Sequence, residues 1–498
     1  MGNWCKIFAE KREWEDLDYS TAGYHWDNRE QLYSDYLYIS SLYEKLLKDF
    51  VRPLNSIHQV EHSIEYWRIL IGPWLFYFLQ TLFDRWQMIV KAAEEYEISD
   101  TNIYEISDAL MVPNDFSDFE KIYSEDLWNH WIYGQIILEL NFCKINKVPY
   151  KGMDNINKSS DESIVSVGNK NLSKLIKKIL CQFQRISKGY SFFIYGSLFT
   201  FLQETKLQMQ LGQLPMKFQE KKIKKVAMDP NLRKSFLLSF KPNSQFEKFV
   251  HKVIAKQIPK IYLEGFSKLV TLTKDVHWPD KPKVIFSSNA IIGKDFFKCW
   301  AAEKKAQGSK LILGQHGGQY GIGKWGSCEK HELMVSDLFL SWGWEGKGVK
   351  PLSSSKITAS SRTLTVNPKS GMLLAQACLP RYSYWMYSVP VASQVERYLD
   401  NQIVFARSLS DELRNQLTIK LYPKDYGWSQ RERWVSIYPD INIAPTNSNY
   451  LDLVKQSRLN ICTYNATTYL ESLGSNIPTV IFWDPAVWEI RESAIQDF

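Results

Sequence analysis

From about Tyr19 to Glu139 the apolar and aromatic residues recur at three- and four-residue spacing, as in LYISSLYEKLLKDF and WLFYFLQTLFDRWQMIVKAAEEY. That rhythm predicts helix after helix. The polar, Ser/Asn-rich stretch KGMDNINKSSDESIVSVGNK (151–170) predicts a loop, and helical periodicity resumes from Leu172 to about Leu211. The lysines of KFQEKKIKKVAMDPNLRK (217–234) read as the solvated face of a helix in preference to an anion-binding patch. After about residue 280 the rhythm changes. Short β-rich runs at 283–290, 310–317 and 337–344 flank a helical KDFFKCWAAEKKAQG (294–308). A Ser/Thr-rich linker (353–370) precedes a second alternating unit, with strands expected at 371–379, 417–423, 458–465 and 477–484. Helices are expected there at 391 to about 415, 450–457 and 467–475.

Strands alternating with helices predict parallel sheets covered on both faces. The domain expectation is therefore an N-terminal domain, 1–355, with a helical region at about 19–260 and an α/β unit at about 280–350, followed by a C-terminal α/β domain, 371–498. Two such units leave a cleft between the carboxyl ends of their strands, where open α/β sheets bind ligands.

A length of 498 residues agrees with more than one domain. The formal net charge of +7 suits an anionic small ligand or an anionic membrane surface. It falls short of the dense basic stripe that nucleic acid requires. Seven scattered cysteines without a CxxC pair point to a reducing, cytoplasmic compartment. The most apolar run, Ile69 to Phe83, is too short to span a bilayer. The start, MGNWCKIFAEKREWE, has no secretory pattern, and Lys6 stands where a myristoylation signal needs Ser or Thr.

The strongest candidate chemistry lies in CTYNATTYLESLGSNIPTVIFWD (462–484). A strand ends at Thr463-Tyr464-Asn465 and a helix opens with Thr467 and Thr468, whose free amides and hydroxyls suit a nucleotide's phosphates. Glu471, one turn on, is placed to accept from ribose hydroxyls. The bland alternative is a helix capped by Asn465. In KLYPKDYGW (420–428), Lys420 or Lys424 can neutralise phosphate and Tyr422 or Trp428 can stack on a base or sugar, against the alternative of a surface turn. On the opposite rim His316, in GQHGGQYG, is suited to take a proton from a hydroxyl. Gly317 and Gly318 allow close backbone approach, and Glu332 or Asp337 can orient His316 or act as a second acid/base group. HQVEH (58–62) has the H-x-x-E-H spacing of a zinc helix, but its aromatic surroundings read as core.

MGNWC, HSIEYWRILIGPWLFYFLQTLFDRW, GQHGGQYG, DLFLSWGW, LYPKDYGW and TYNATTYLESLGSNIPTVIFW, in this order, resemble the surface-carbohydrate transferases of O-antigen loci, over nearly the whole chain. That resemblance implies a GT-B-like fold of two Rossmann-like domains facing a cleft, distantly similar to Kdo transferases and to polymer-forming glycerophosphotransferases. It also implies a metal-independent glycosyltransferase of the cytoplasm, in peripheral contact with the inner face of the membrane. A nucleotide-sugar donor would sit on the second domain and a glycan or lipid-linked acceptor on the first, with no cofactor beyond the substrate. Glycerophosphate-type transfer from a CDP donor and a non-catalytic nucleotide-binding role in glycan assembly stay open as alternatives. The family extends before GNWC and past VWEIRESAIQDF, and no helix returning from the second domain to the first is visible, so a truncated second domain, and with it a fragment that is not active, is one expectation.

Overall fold

The computed structural model describes residues 2–150, 186–354 and 366–498. The expected loop at 151–170, the helical periodicity of 172–185 and residues 355–365 of the linker lie outside the described residues. The helical rhythm is realised first in α1 (Arg29–His58), whose N-cap Asn28 accepts from the amides of Glu30 and Gln31. Its buried stripe of Leu32, Tyr36, Ile39, Tyr43, Leu46, Phe50 and Leu54 follows the three-to-four spacing. The next helix, α2 (Ile64–Glu95), is buried on all sides from Tyr66 to Trp86 except at Arg68. That explains the apolar run: α2 is the axis of the core. Among the described residues no helix is long and apolar enough to cross a membrane.

Two further helices, α3 (Phe116–Ile122) and α4 (Asp126–Leu140), follow. Within the stretch whose periodicity predicts helix alone lies β1 (Asp100–Glu105), which pairs in parallel with β2 (Lys144–Pro149) just beyond that stretch. Both strands are largely polar and half-exposed, so neither has the apolar alternation that announces a strand. Beyond them, residues 213–229 run without regular structure, so the predicted lysine-bearing helix is absent there; the chain becomes helical again in the short Pro230–Ser235 turn, capped by Asp229, and then in α5 (Gln245–Gln257).

The first sheet has the order β3-β4-β5-β6-β7, all parallel: β3 (Phe192–Ile194), β4 (Val284–Ser287), β5 (Lys310–Gly314), β6 (Leu338–Ser341) and β7 (Val349–Pro351). The strand β3 occupies residues for which the spacing predicts helix; three residues are too few for alternation to register. Consecutive parallel order with right-handed crossovers places α6 (Asp295–Ala306) and α7 (Ser327–Val335) on one face, and both pack against α2. Helical region and first sheet therefore share one core.

The second sheet has the order β10-β9-β8-β11-β12, also parallel: β8 (Gly371–Ala375), β9 (Leu417–Lys420), β10 (Asn442–Ile443), β11 (Ser457–Cys462) and β12 (Thr479–Ile481). The central β8 has β9 on one side and β11 on the other, so the strand order reverses between β8 and β11. Residues 380–395 lead from β8 to α8 (Gln394–Ser408) and dock on the helical region: Arg85 donates to the Ser383 carbonyl at 2.6 Å, and the Met386 amide donates to Gln80 Oε1 at 2.8 Å. Arg29 donates to Glu489 and to the Val389 and Tyr387 carbonyls. Near residue 490 the chain comes back to the first unit: Ile490 bridges Gly323, and Arg491 donates to the Gly323 carbonyl (2.8 Å) and pairs with Glu329 (2.9 Å).

Candidate functional site

Open parallel sheets leave a crevice where their strand order reverses, because the two flanking loops diverge to opposite faces. Here that point lies at paired Ala375 and Cys462. Thr463 Oγ1 donates to the Ala375 carbonyl (3.1 Å) and lies 2.6 Å from the Tyr398 hydroxyl, which in turn accepts from the Ala377 amide (2.8 Å). These bonds fix both loops at the crevice floor. From it rises α9 (Thr467–Gly474), entered through Ala466 with no side-chain cap. Asn465 is fully buried, and neither its Oδ1 nor its Nδ2 has a hydrogen-bond partner among the described residues. It is not the cap that the bland reading expects. Uncapped amides, the positive end of the helix and an unsatisfied amide side chain together make the start of α9 suited to an anion.

The loop after β5 faces this helix start. The Gly318 amide donates to Thr467 Oγ1 at 3.0 Å. A Cβ on Gly318 would lie 2.5 Å from the Ala466 carbonyl carbon and 2.8 Å from the Thr467 nitrogen, so glycine is required for the approach. Gly317 is uncrowded, its nearest neighbour being the Tyr320 ring at 3.8 Å. The half-buried His316 lies with its Nδ1 3.6 Å from Glu332 Oε1, beyond hydrogen-bond reach, and its ring packs edge-on against Tyr320. Burial lowers the imidazole to about 4, against a smaller opposing effect of the Ser288 backbone. Glu332 is fully buried on α7, and burial raises its carboxyl well above the usual range. At neutral pH the imidazole is therefore neutral, able to offer a lone pair or an N–H to a ligand in the crevice.

The other sequence candidates divide. Asp337 immediately precedes β6, at the amino edge of the sheet and away from His316; it accepts from the Leu311 amide (2.8 Å) and from Lys305 (2.7 Å). Lys420 Nζ, nearly buried, donates to the Thr446 carbonyl at 3.0 Å and the Leu421 carbonyl at 3.3 Å. Trp428 is buried and donates to the Leu379 carbonyl (2.7 Å), which removes its face from any ligand. Tyr422 remains accessible beside Tyr426, over whose ring Lys424 lies at 4.6 Å. Glu471 is buried on α9 near Cys462, not at the open rim. The helical geometry of HQVEH does not form: α1 ends at His58, Gln59 turns left-handed (φ 53°), the His58 ring bonds the Tyr262 carbonyl (2.9 Å), and His62 stacks on Tyr66 at 3.6 Å.

Glu120 on α3 has no counterpart among the sequence candidates. Its Oε2 lies 3.7 Å from where a Gly293 side chain would begin. Burial and Asp295 raise its carboxyl, against Lys298, Lys294 and Lys424, to about 7. Lys424 belongs to the second unit, so Glu120 feels charges from both sides of the cleft. Nothing in DFSDFEKIY distinguishes this residue from any surface glutamate on an amphipathic turn. The signal is purely spatial.

Two parallel α/β units whose strand-end loops meet over an uncapped helix start define a class, an α/β protein with an anion-accepting crevice between its sheets. The chain belongs to the LIC12162 family of transferases, whose family model matches residues 1–498. No curated protein and no solved structure matches it.

Proposed function

We propose that this transferase is a glycosyltransferase of GT-B-like build that moves a sugar from a nucleotide-activated donor to a lipid-linked or growing surface glycan in O-antigen or lipopolysaccharide biosynthesis. The observation that carries the reading is the bond from the Gly318 amide to Thr467 Oγ1, which sets His316 beside the uncapped start of α9. A donor diphosphate at that helix start brings the anomeric carbon toward the His316 loop. The bond from that carbon to the donor phosphate oxygen breaks and one to the acceptor hydroxyl oxygen forms. The hydroxyl proton passes to a base, and the nucleotide leaves with the electron pair. His316 acts as general base or electrostatic stabiliser, and Glu120, beside Gly293 on the first unit, is the alternative proton acceptor. Work at the inner face of the cytoplasmic membrane, with a lipid-linked acceptor, belongs to the same proposal.

Thermal-shift titration with nucleotides and nucleotide sugars tests it. One nucleotide class should stabilise the protein. The Thr467→Ala/Thr468→Ala variant should bind that class roughly 10- to 100-fold more weakly, the loss of charge-assisted hydrogen bonds. Unchanged affinity in the variant removes the assignment of α9. A response to CDP-glycerol in place of every nucleotide sugar redirects the reading to glycerophosphate transfer.

A further inference from the structure

The lysines of KFQEKKIKKVAMDPNLRK do not share a helix face, because residues 213–229 run without regular structure. Lys221, Lys222 and Lys225 line one wall of a cavity of about 480 Å³. Lys121 from α3 and Lys294 from the turn before α6 line the other. The neighbouring carboxylates are already engaged. Asp115 accepts from the Asp118 amide (2.9 Å) and Asp118 from the Asn114 amide (2.8 Å). Asp295 accepts from the Phe116 amide (2.7 Å) and the Tyr262 hydroxyl (2.6 Å) and pairs with Lys298 (2.7 Å). Burial raises the Glu220 carboxyl, against the Tyr195 hydroxyl and Lys294. Lys221 pairs with Asp275 at 3.0 Å, but among the described residues no carboxylate lies within 4.0 Å of Lys121, Lys222, Lys225 or Lys294.

The cavity is lined in part by Gly293 and Lys294, in the segment that follows β4. Ser287, at the carboxyl end of β4, pairs with Leu313 of β5, so the turn through Gly293 and Lys294 and the loop through His316 emerge from adjacent strand ends. Gly293 is also the residue that Glu120 overhangs. Four ammonium groups without a carboxylate within 4.0 Å among the described residues, brought together from three chain segments, match a phosphate's several charged oxygens better than they match a neutral sugar.

We propose that this cavity holds the phosphate-bearing group of the acceptor, a mono- or diphosphate ester, while the acceptor hydroxyl reaches toward His316. This rests on the transferase reading above, but its test does not need turnover. Inorganic pyrophosphate is titrated by calorimetry into the full chain, into Lys222→Gln/Lys225→Gln/Lys294→Gln, and into a control of equal charge loss, Lys48→Gln/Lys206→Gln/Lys268→Gln. The cavity variant should bind roughly tenfold more weakly or worse, with a shallower salt dependence, and the control should bind as the wild type does. The Thr467→Ala/Thr468→Ala variant separates the two sites: pyrophosphate binding that persists there and disappears in the lysine variant belongs to the cavity. A parallel arm measures co-sedimentation with phosphatidylcholine vesicles with and without a polyprenyl diphosphate. Lysine-dependent binding in either arm supports the site, and the arm in which it occurs tells a soluble phosphorylated acceptor from a lipid-linked one. Pyrophosphate and vesicle binding that are absent in the wild type, or equal in wild type and lysine variant, overturn the proposal, as does pyrophosphate binding lost only with Thr467 and Thr468.

Discussion

Burial lowers the His316 imidazole to about 4, so it is neutral at pH 7, and burial raises the neighbouring Glu332 carboxyl well above its ordinary range. A neutral imidazole can still accept a proton as one develops on the acceptor hydroxyl. Replacing His316 by Ala should lower turnover by about 10²–10⁴-fold while leaving nucleotide affinity nearly unchanged. Steady-state rates combined with an independent nucleotide titration read this out; near-normal turnover with chemistry rate-limiting makes His316 a turn residue and moves the base to Glu120. His331, on the same helix as Glu332, makes a different prediction. It is buried with no hydrogen-bond partner at either ring nitrogen among the described residues, and burial, aided by Lys298 and Arg68, lowers it from 6.5 to about 3. Below about pH 6.5 the unfolded chain therefore binds a proton that the folded chain refuses, and stability falls with pH. In His331→Phe that proton is gone. Its stability, followed by urea unfolding, should drop less on acidification to about pH 4, the slopes differing by about 1.4 kcal/mol per pH unit. Parallel slopes would contradict a neutral buried His331.

At the scale of elements, α2 buries Arg85 completely, with Asp84 beside it, Asn129 Oδ1 at 2.7 Å and the Ser383 carbonyl at 2.6 Å. Arg85→Met leaves the Asp84 carboxylate buried without its cation and should cost roughly 3–5 kcal/mol in chemical denaturation. The double variant Asp84→Leu/Arg85→Met should recover most of that loss, whereas simple addition of two losses contradicts a coupled pair. The long helices α1 and α2 are legible in the sequence because their apolar spacing holds over many turns, β4, β5 and β8 because each is a dense apolar run, and β11 because Leu459 and Ile461 alternate with Arg458 and Asn460. β1 and β2 are not, since their partners are each other and their faces half-wet. The start of α9 is legible as a site from its strand–turn–helix pattern. The exclusion of Asp337 is not: a residue just before a short strand and one just after it look alike in sequence, yet they lie at opposite edges of a parallel sheet. Trp428 and Lys420 show the same limit. A ring or a lysine near a strand end can be spent on a backbone carbonyl, and only tertiary packing decides which.

Across the whole molecule, residues 380–395 make the second unit part of the first unit's core, Met386, Val391 and Ala392 being buried in the cluster that also contains α1, α2 and α6. Arg29 and Arg491 fasten the chain's later residues, 387–394 and 487–491, to the same body. A wide swing of one unit away from the other would have to break these buried contacts, which leaves local movement as the cheaper way to admit a ligand. The seam where the Gly318 amide meets Thr467 is then a kinetic gate. A nucleotide cannot reach the α9 amides in one diffusional step, so in stopped-flow mixing the observed association rate should climb with concentration and then level off at the rate at which the seam parts. Gly318→Ala places a methyl against the Ala466 backbone, wedges the seam ajar and should raise that ceiling; a wild-type rate that rises linearly to the highest usable concentration would mean that no such gate exists.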